Sequence, residues 1–306
     1  MYIIAENIHI ISPRVKKAIA ERDDAFFRNT IAHLAEAGSN AIELNIGPSR
    51  KYGHEILPWL AQEAEKVTDL PLSLDTTNVN AIEAACKVIT KAQPIINSTD
   101  CKQERLAVVP PLAKKYGTRM IGLSMAEGMI PVSADERVTL VLERMLPALM
   151  EIDFPITDLI VDPLILTVSG CQEYCPEFIQ AVQTLKVAWD PPLLTNGGAS
   201  NVSNAVPSDM RPLINRVHMV MIMGAGIDMV IADPLDKELR EFIRVIEERD
   251  SSTPLNRLLL SIHDSIAAME EPQSEGVDVD DPEQVAVWKT VEVLLNKVIY
   301  TDAYLR

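Results

Sequence analysis

At 306 residues the chain has room for two ordinary domains or for one α/β barrel. Its composition, 47% hydrophobic and 24% charged, is that of a globular protein, and no stretch approaches the roughly 20 apolar residues of a membrane span. A formal net charge of −16 argues against a nucleic-acid binder, which calls for a basic stripe.

The opening segment MYIIAENIHIISPRVKK does not read as a signal peptide. Its basic residues follow the apolar run, and Glu6, Asn7 and His9 interrupt it, so a cytoplasmic protein is expected. The same segment contains the first of eight short apolar runs that end on polar residues. YIIAEN ends on Glu6 and Asn7, NAIELNIG on Asn45, PLSLD on Asp75 and QPIINSTD on Asn97. RMIGLSM ends near Ser124, DLIVDP on Asp162, PPLLTNGGASN on Asn196 and Asn201, and IDMVIADP on Asp233. Helical periodicity fills the gaps. AFFRNTIAHLAEAG stops at Gly38 as at a C-cap glycine, and Ser133 stands three residues before Glu136 in a capping-box spacing. Pro110 and Pro111 predict a kink or break in the helix after the fourth run.

Eight strand–helix units predict a (β/α)8 barrel. The alternative, a doubly wound open sheet, lacks a glycine-rich dinucleotide fingerprint after the first strand. After Asp233 the pattern is purely helical. Thr253-Pro254 and Asp281-Pro282 read as an N-cap followed by proline at the first helical position. The whole chain, 1–306, is therefore expected to form one barrel domain with a C-terminal helical extension from about 236 to 306. The acidic stretch 270–283 reads as an exposed loop, and MVMIMGAGIDM as core. The four cysteines (Cys86, Cys101, Cys171, Cys175) read as reduced structural thiols, and no metal site is expected.

In such a barrel the strand ends converge on one pocket. The groups gathered there are carboxylates and amides, with no strand-end lysine and no triad-like or metal-binding set. Carboxylates accept hydrogen bonds from ring N–H and amino groups, while amides both donate and accept, so the set suits the edge of a polar heterocycle such as a pterin. Taken singly, each residue has a plainer reading. Asp75 reads as a cap for a helix near Asn78, Asp162 before Pro163 as a turn residue, and His9 as a rim residue with no catalytic part. Arg50, Lys51 and His54 after the second strand read equally as a solvated loop or as contacts to a ligand tail or partner.

The segments LPLSLDTTNVNAIEAA, IINST, IGLSM, DLIVDPLIL, SNVS with RPLINR, and TVEVLLNKVIYTDAYL resemble the pterin-binding methyltransferases. These exchange a methyl group between tetrahydrofolate and the cobalt of a corrinoid protein. The resemblance covers nearly the whole chain and implies a TIM barrel, a homodimer, tetrahydrofolate or 5-methyltetrahydrofolate as substrate, and cobalamin carried by a partner corrinoid protein. It implies that Asp75, Asn97 and Asp162, with Gly198 and Ser200, hold the pterin, that Asn201 reaches N5, and that Arg211 supports Asn201. Glu6, Asn45, Ser124 and Asn196 are further candidates. Four features depart from the acetogenic methyltetrahydrofolate:corrinoid/iron-sulfur protein branch: AENIHI, the polar TNGGASN, two extra residues between Asn201 and Arg211, and a longer C-terminal helical region. They favour the catabolic branch, which moves methyl from a methylcorrinoid protein to tetrahydrofolate during demethylation. The acetogenic direction is the alternative. A dihydropteroate synthase-like enzyme fits less well, because NIHIISPR and NIGPSRKYG stand where that family's pyrophosphate loops would be. A non-catalytic pterin-binding subunit is opposed by the presence of Asn201 and Arg211.

Overall fold

The computed structural model describes residues 1–305. Eight strands lie in chain order: β1 (Tyr2–Ala5), β2 (Ala41–Asn45), β3 (Leu72–Asp75), β4 (Ile95–Asp100), β5 (Arg119–Leu123), β6 (Leu159–Asp162), β7 (Leu194–Thr195) and β8 (Met229–Ala232). Every ladder is parallel, and the order runs β7-β6-β5-β4-β3-β2-β1-β8. The ring closes between β7 and β8 through one bridge, Gly198 to Ile231, with the Ile231 N–H donating to the Gly197 carbonyl at 3.0 Å. The result is a (β/α)8 TIM barrel, as the eight-fold alternation predicts.

Strand alternation divides the apolar residues into two sets. Ile4, Ala41, Ile95, Ile121, Ile160 and Met229 form a separate cluster inside the barrel. Their neighbours one position along, among them Ala5, Ile42, Ile96, Met120, Leu159 and Val230, pack outward against the helices. At least one helix follows each strand. Gly38, at φ +87°, ends the helix Asp24–Glu36 in the left-handed conformation glycine favours. Ser133 caps its helix by accepting from the Glu136 N–H at 3.3 Å, and its hydroxyl donates to the Glu136 carboxylate at 3.0 Å, so the pair interacts side chain to side chain and the backbone half of a capping box is not formed. The prolines do break the helix after β4: one short helix ends at Leu106 and a second, Val109–Tyr116, begins with Pro110 and Pro111 in its first turn.

Of the three helices after β8, Lys237–Glu248 completes the barrel alternation, so only Pro254–Ala267 and Pro282–Leu294 are additions to it. Thr253 and Asp281 cap them as the sequence implies. Both pack on the helix after β7, Arg211–Gly224. Gly224 marks the close approach, since a Cβ there would lie 2.6 Å from the His263 carbonyl oxygen. Covered from both sides, residues Val217 to Ile222 are buried without a break, which accounts for the methionine-rich run. Trp288, Leu294 and Leu295 are packed into this same core. Gln172 ties the C-terminal tail down. Its amide donates to the Val293 and Val298 carbonyls at 2.6 Å each and accepts from the Tyr300 N–H at 2.7 Å. All four cysteines are free thiols, and among the described residues no helix is long and apolar enough to cross a membrane.

His218 is fully buried on the helix after β7, and neither ring nitrogen has a hydrogen-bond partner. Burial holds its pKa down at about 3, so the ring is neutral when folded. Because the unfolded chain takes up this proton more readily, the corresponding stability is present above about pH 6.5 and lost as pH falls toward about 3. Replacing His218 by leucine should remove an unsatisfied group worth about 1–3 kcal/mol. Urea unfolding should show a more stable variant, with the difference from wild type widening as pH drops through that window.

Candidate active site

The inward parity of every strand except β5, which ends inward on Leu123, continues to a polar residue at the C-terminal end. Glu6 follows Ile4 by two, Asn45 follows Glu43, Asp75 follows Ser73 and Asn97 follows Ile95. Asp162 follows Ile160, Asn196 follows Leu194 and Asp233 follows Ile231. All therefore gather at the C-terminal end of the barrel.

Hydrogen bonds between strands bind these groups in pairs, some between adjacent strands and two, β4 to β2 and the turn after β7 to β1, across an intervening strand. The Asn45 amide donates to Asp75 and accepts from the Gly47 N–H at 3.0 Å. The Asn97 amide donates to Glu43 at 3.2 Å, Asn196 to Asp162 at 2.9 Å, Ser200 to Glu6 at 2.8 Å, and Asn7 to Asp233 at 2.8 Å. Asp75 does not cap the helix that follows; Asn78 does, accepting from the Ala81 N–H at 3.2 Å. Asp162 combines two roles. One oxygen accepts from the Leu164 N–H at 2.8 Å to shape the turn, and the other takes the Asn196 amide. The Asn196 carbonyl oxygen beside it is buried without a partner in the protein.

Burial is the main cause of the electrostatics. It pushes Glu6 up to about 7 and both Asp75 and Asp162 up to about 6. Glu43 is raised further above the carboxylate range, by complete burial and then by the charges of Asp75 and Glu6. Two arginines temper the acidity. Arg211 lies near Glu6. Arg137, fully buried, donates to the carbonyls of Pro131, Val132, Pro163 and Leu164, clamping the β5 and β6 loops on either side of Asp162.

Asn201 stands apart from the ring. It is exposed on the 3₁₀ turn Ala199–Ser203 that follows β7. Gly198 makes room for it, since a Cβ there would lie 2.7 Å from the Asn201 amide nitrogen, and Gly197 avoids Ile165 and Phe178 in the same way. Arg211 does not bond Asn201. Its Nε donates to Ser203 Oγ at 3.3 Å, beneath the turn. Ser124 is wholly buried and gives both its N–H and its hydroxyl to the Asp162 carbonyl, so it fastens β5 to β6 and does not face the pocket. His9 lies at the rim and accepts from the Ile11 N–H. Arg50 and Lys51 are exposed on the β2 loop, and His54 is exposed in the first turn of the helix Gly53–Glu65.

Two contributors were not foreseen. Glu43 was open to detection, because it precedes Asn45 by two in a strand and must share its face. Arg137 sits in a helix whose sequence carries no sign of its inward reach.

Residues 29–233 match the sequence model of the family described as "Pterin binding enzyme". The chain belongs to the pterin-binding enzyme family. Among curated relatives of this pterin-binding enzyme is the methylcorrinoid:tetrahydrofolate methyltransferase of Eubacterium limosum, 24% identical over 241 residues, covering 78% of this chain and 87% of the relative. Solved structures with the same fold include the dihydropteroate synthase of Yersinia pestis, at TM-score 0.56 and 16% identity, covering 82% of this chain and 92% of that one. The dihydropteroate synthase of Clostridium difficile, determined in the presence of pteroic acid, aligns at TM-score 0.58 and 15% identity, covering 81% of this chain and 96% of that one. These last two likenesses concern the fold alone.

The strand-end set of this pterin-binding enzyme is rich in fixed acceptors and has no lysine or cysteine to act as a covalent nucleophile. Because Asp162 holds two donors in a buried position, its removal should be felt before any ligand is added. Asp162→Ala leaves the Leu164 N–H and the Asn196 amide unpaired and should cost about 1–3 kcal/mol of stability, whereas Asp162→Asn, which keeps an acceptor oxygen, should cost less. Denaturant titration of the ligand-free proteins measures both.

Proposed function

We propose that this enzyme transfers a methyl group between the cobalt of a corrinoid protein and N5 of tetrahydrofolate, running from methylcorrinoid protein to tetrahydrofolate in a demethylation pathway. The observation that carries this reading is the exposed amide of Asn201, set on a solvent-facing turn beside a ring of buried acceptors. Asp75, Asn97 and Asp162 accept from the donor edge of the pterin, and Asn196 adds its unpaired carbonyl. Ser200 and Gly198 shape the turn. Asn201 then meets N5 on the open side, from which a partner protein carrying cobalamin approaches. The curated relative from Eubacterium limosum supports the direction of transfer. A cytoplasmic homodimer is part of the reading, and light scattering tests the dimer.

The chemistry asked of the protein is mainly positioning of two large reactants. In the folate-forming direction N5 attacks the methyl carbon in line and cobalt leaves as Co(I). Charge changes at N5, so a hydrogen bond there that strengthens in the transition state raises the rate without tightening the ground state. An amide supplies such a bond without being an acid.

The direct test mixes the protein with tetrahydrofolate and a methylated corrinoid protein and follows the cobalamin spectrum. Conversion of the methylcob(III) form to cob(I) is expected. No spectral change with a competent methylated partner, or cobalamin held tightly by the isolated chain, overturns the assignment.

Two substitutions should separate binding from rate. Asp75→Ala removes a charge-assisted hydrogen bond of about 1.5–3 kcal/mol and should weaken tetrahydrofolate binding by roughly tenfold to a hundredfold. Asn201→Ala should slow single-turnover transfer at saturating folate by on the order of a hundredfold with little change in affinity. If Asn201→Ala keeps its maximal rate and loses only affinity, its role is wrongly assigned. Wild-type affinity should also fall as pH drops below about 6, where Asp75 and Asp162 take up protons and lose acceptor strength.

A further inference from the structure

Methyl transfer to N5 creates a proton that must go somewhere. The N5 lone pair forms the new C–N bond, the Co–C electron pair stays with cobalt, and N5 is left as a protonated tertiary amine. At that moment the mouth of the barrel is covered by the protein that brings the cobalt, so the proton needs a second exit.

A side chamber of about 300 Å³ lies beside the Ala199–Ser203 turn, walled by Glu6, Ser200, Arg211, Asn215, Asp233 and other residues. Ser208, also on its wall, is exposed, so the chamber reaches solvent away from the strand-end ring. The Asn215 carbonyl oxygen is buried without a protein partner, and so is that of Asn7, whose amide nitrogen bonds Asp233. Buried acceptors of this kind are satisfied by water, and at roughly 30 Å³ per molecule the chamber holds several. Glu6 stands between the two compartments. It ends β1 on the inward face, it lines the chamber, and it accepts the Ser200 hydroxyl at 2.8 Å from the turn that carries Asn201.

Resting on the methyl-transfer reading, we propose that Ser200 and Glu6 form a proton shuttle that carries the N5 proton into this side chamber and returns one to N5 in the opposite direction. Ser200 Oγ accepts from N5, directly or through one water, and hands its own hydrogen to Glu6 Oε2. Glu6 passes it to water in the chamber. The bookkeeping closes with no added reagent. The charged groups facing Glu6 are Asp233 from β8, Glu43 from β2 and Arg211 from the helix after β7. The chamber's remaining acid, Asp236, is engaged by Arg216 at 2.9 Å. With burial as the largest influence, Glu6 is poised at about 7, where both proton acceptor and proton donor forms are populated near neutrality.

The test compares the full chain as wild type, Glu6→Gln, Glu6→Asp and Ser200→Ala. Infrared difference spectra of the ligand-free proteins across neutral pH need no activity. The wild type minus Glu6→Gln difference should isolate, from the absorption of Glu43, Asp75 and Asp162, one protonated carboxyl band that titrates near neutrality and exchanges rapidly in D2O. Glu6→Gln should lack it, and Ser200→Ala should keep it at a shifted frequency. In single turnovers from a methylated corrinoid protein to tetrahydrofolate, the wild-type rate should rise as pH passes through about 7. Glu6→Gln should lose that rise and slow by on the order of a hundredfold, with tetrahydrofolate affinity little changed, and Glu6→Asp should recover part of the rate. A wild type without the band, or a Glu6→Gln variant with the wild-type rate and pH profile, overturns the shuttle. A wild type that shows the band but transfers no methyl group overturns the methyl-transfer reading and the shuttle's part in it together, whereas failure of the Glu6 variants alone overturns only the shuttle.

Discussion

Hydrogen bonds from amides and a hydroxyl to carboxylates on other strands are what let five acids share one end of this barrel. Glu6, Glu43, Asp75, Asp162 and Asp233 each receive at least one such donor from a different strand or its loop. A buried ionised carboxylate without cation or donor is costly enough that it protonates instead. Here the donors offset part of the cost and protonation takes up the rest. In the ligand-free enzyme the folded state keeps protons that the unfolded chain releases between about pH 4 and about pH 7, so these acids contribute less stability as pH climbs through that window. The acceptor end of the barrel thus stores a strain that a ligand bringing N–H donors relieves, the usual exchange of stability for a prepared site.

Much of this arrangement is legible in the chain because parallel barrel strands leave a simple trace: a short apolar run that stops on a polar residue. The period of two carries the same logic further inward. It is why Glu43 belongs with Asn45, although attention to strand ends alone passes over it. Other features leave no trace of that kind. Asp162 reads from sequence either as a turn former or as a pocket group, and in the fold its two oxygens do both at once. Ser124 lies at a strand end like the others, but its parity turns it away and its hydroxyl is spent on the next strand. That Arg211 meets Ser203 and not Asn201 depends on which side of a 3₁₀ turn a long side chain leaves, and residue spacing does not carry that information.

The two added helices act on the site at a distance. By covering Arg211–Gly224 they turn it into a helix buried on nearly every side, and the N-terminal end of that helix holds Arg211 against the turn with Asn201. Gln172 extends the support to the segment after β6, fixing it to the chain's last described turn.

The seam between β7 and β8 has a dynamic consequence. β7 is only two residues long and meets β8 through a single bridge, whereas β1 and β8 share four register pairs. Local opening free energies follow such differences in pairing, so the barrel should breathe first along this line. The Gly197–Gly198 backbone and the Ala199–Ser203 turn lie on it. Amide exchange would then be faster there than along β3 and β4, and Asn201 would ride on the least tightly sewn part of the wall. A pterin-binding enzyme gains from having its slack at that place, while the acids opposite stay fixed.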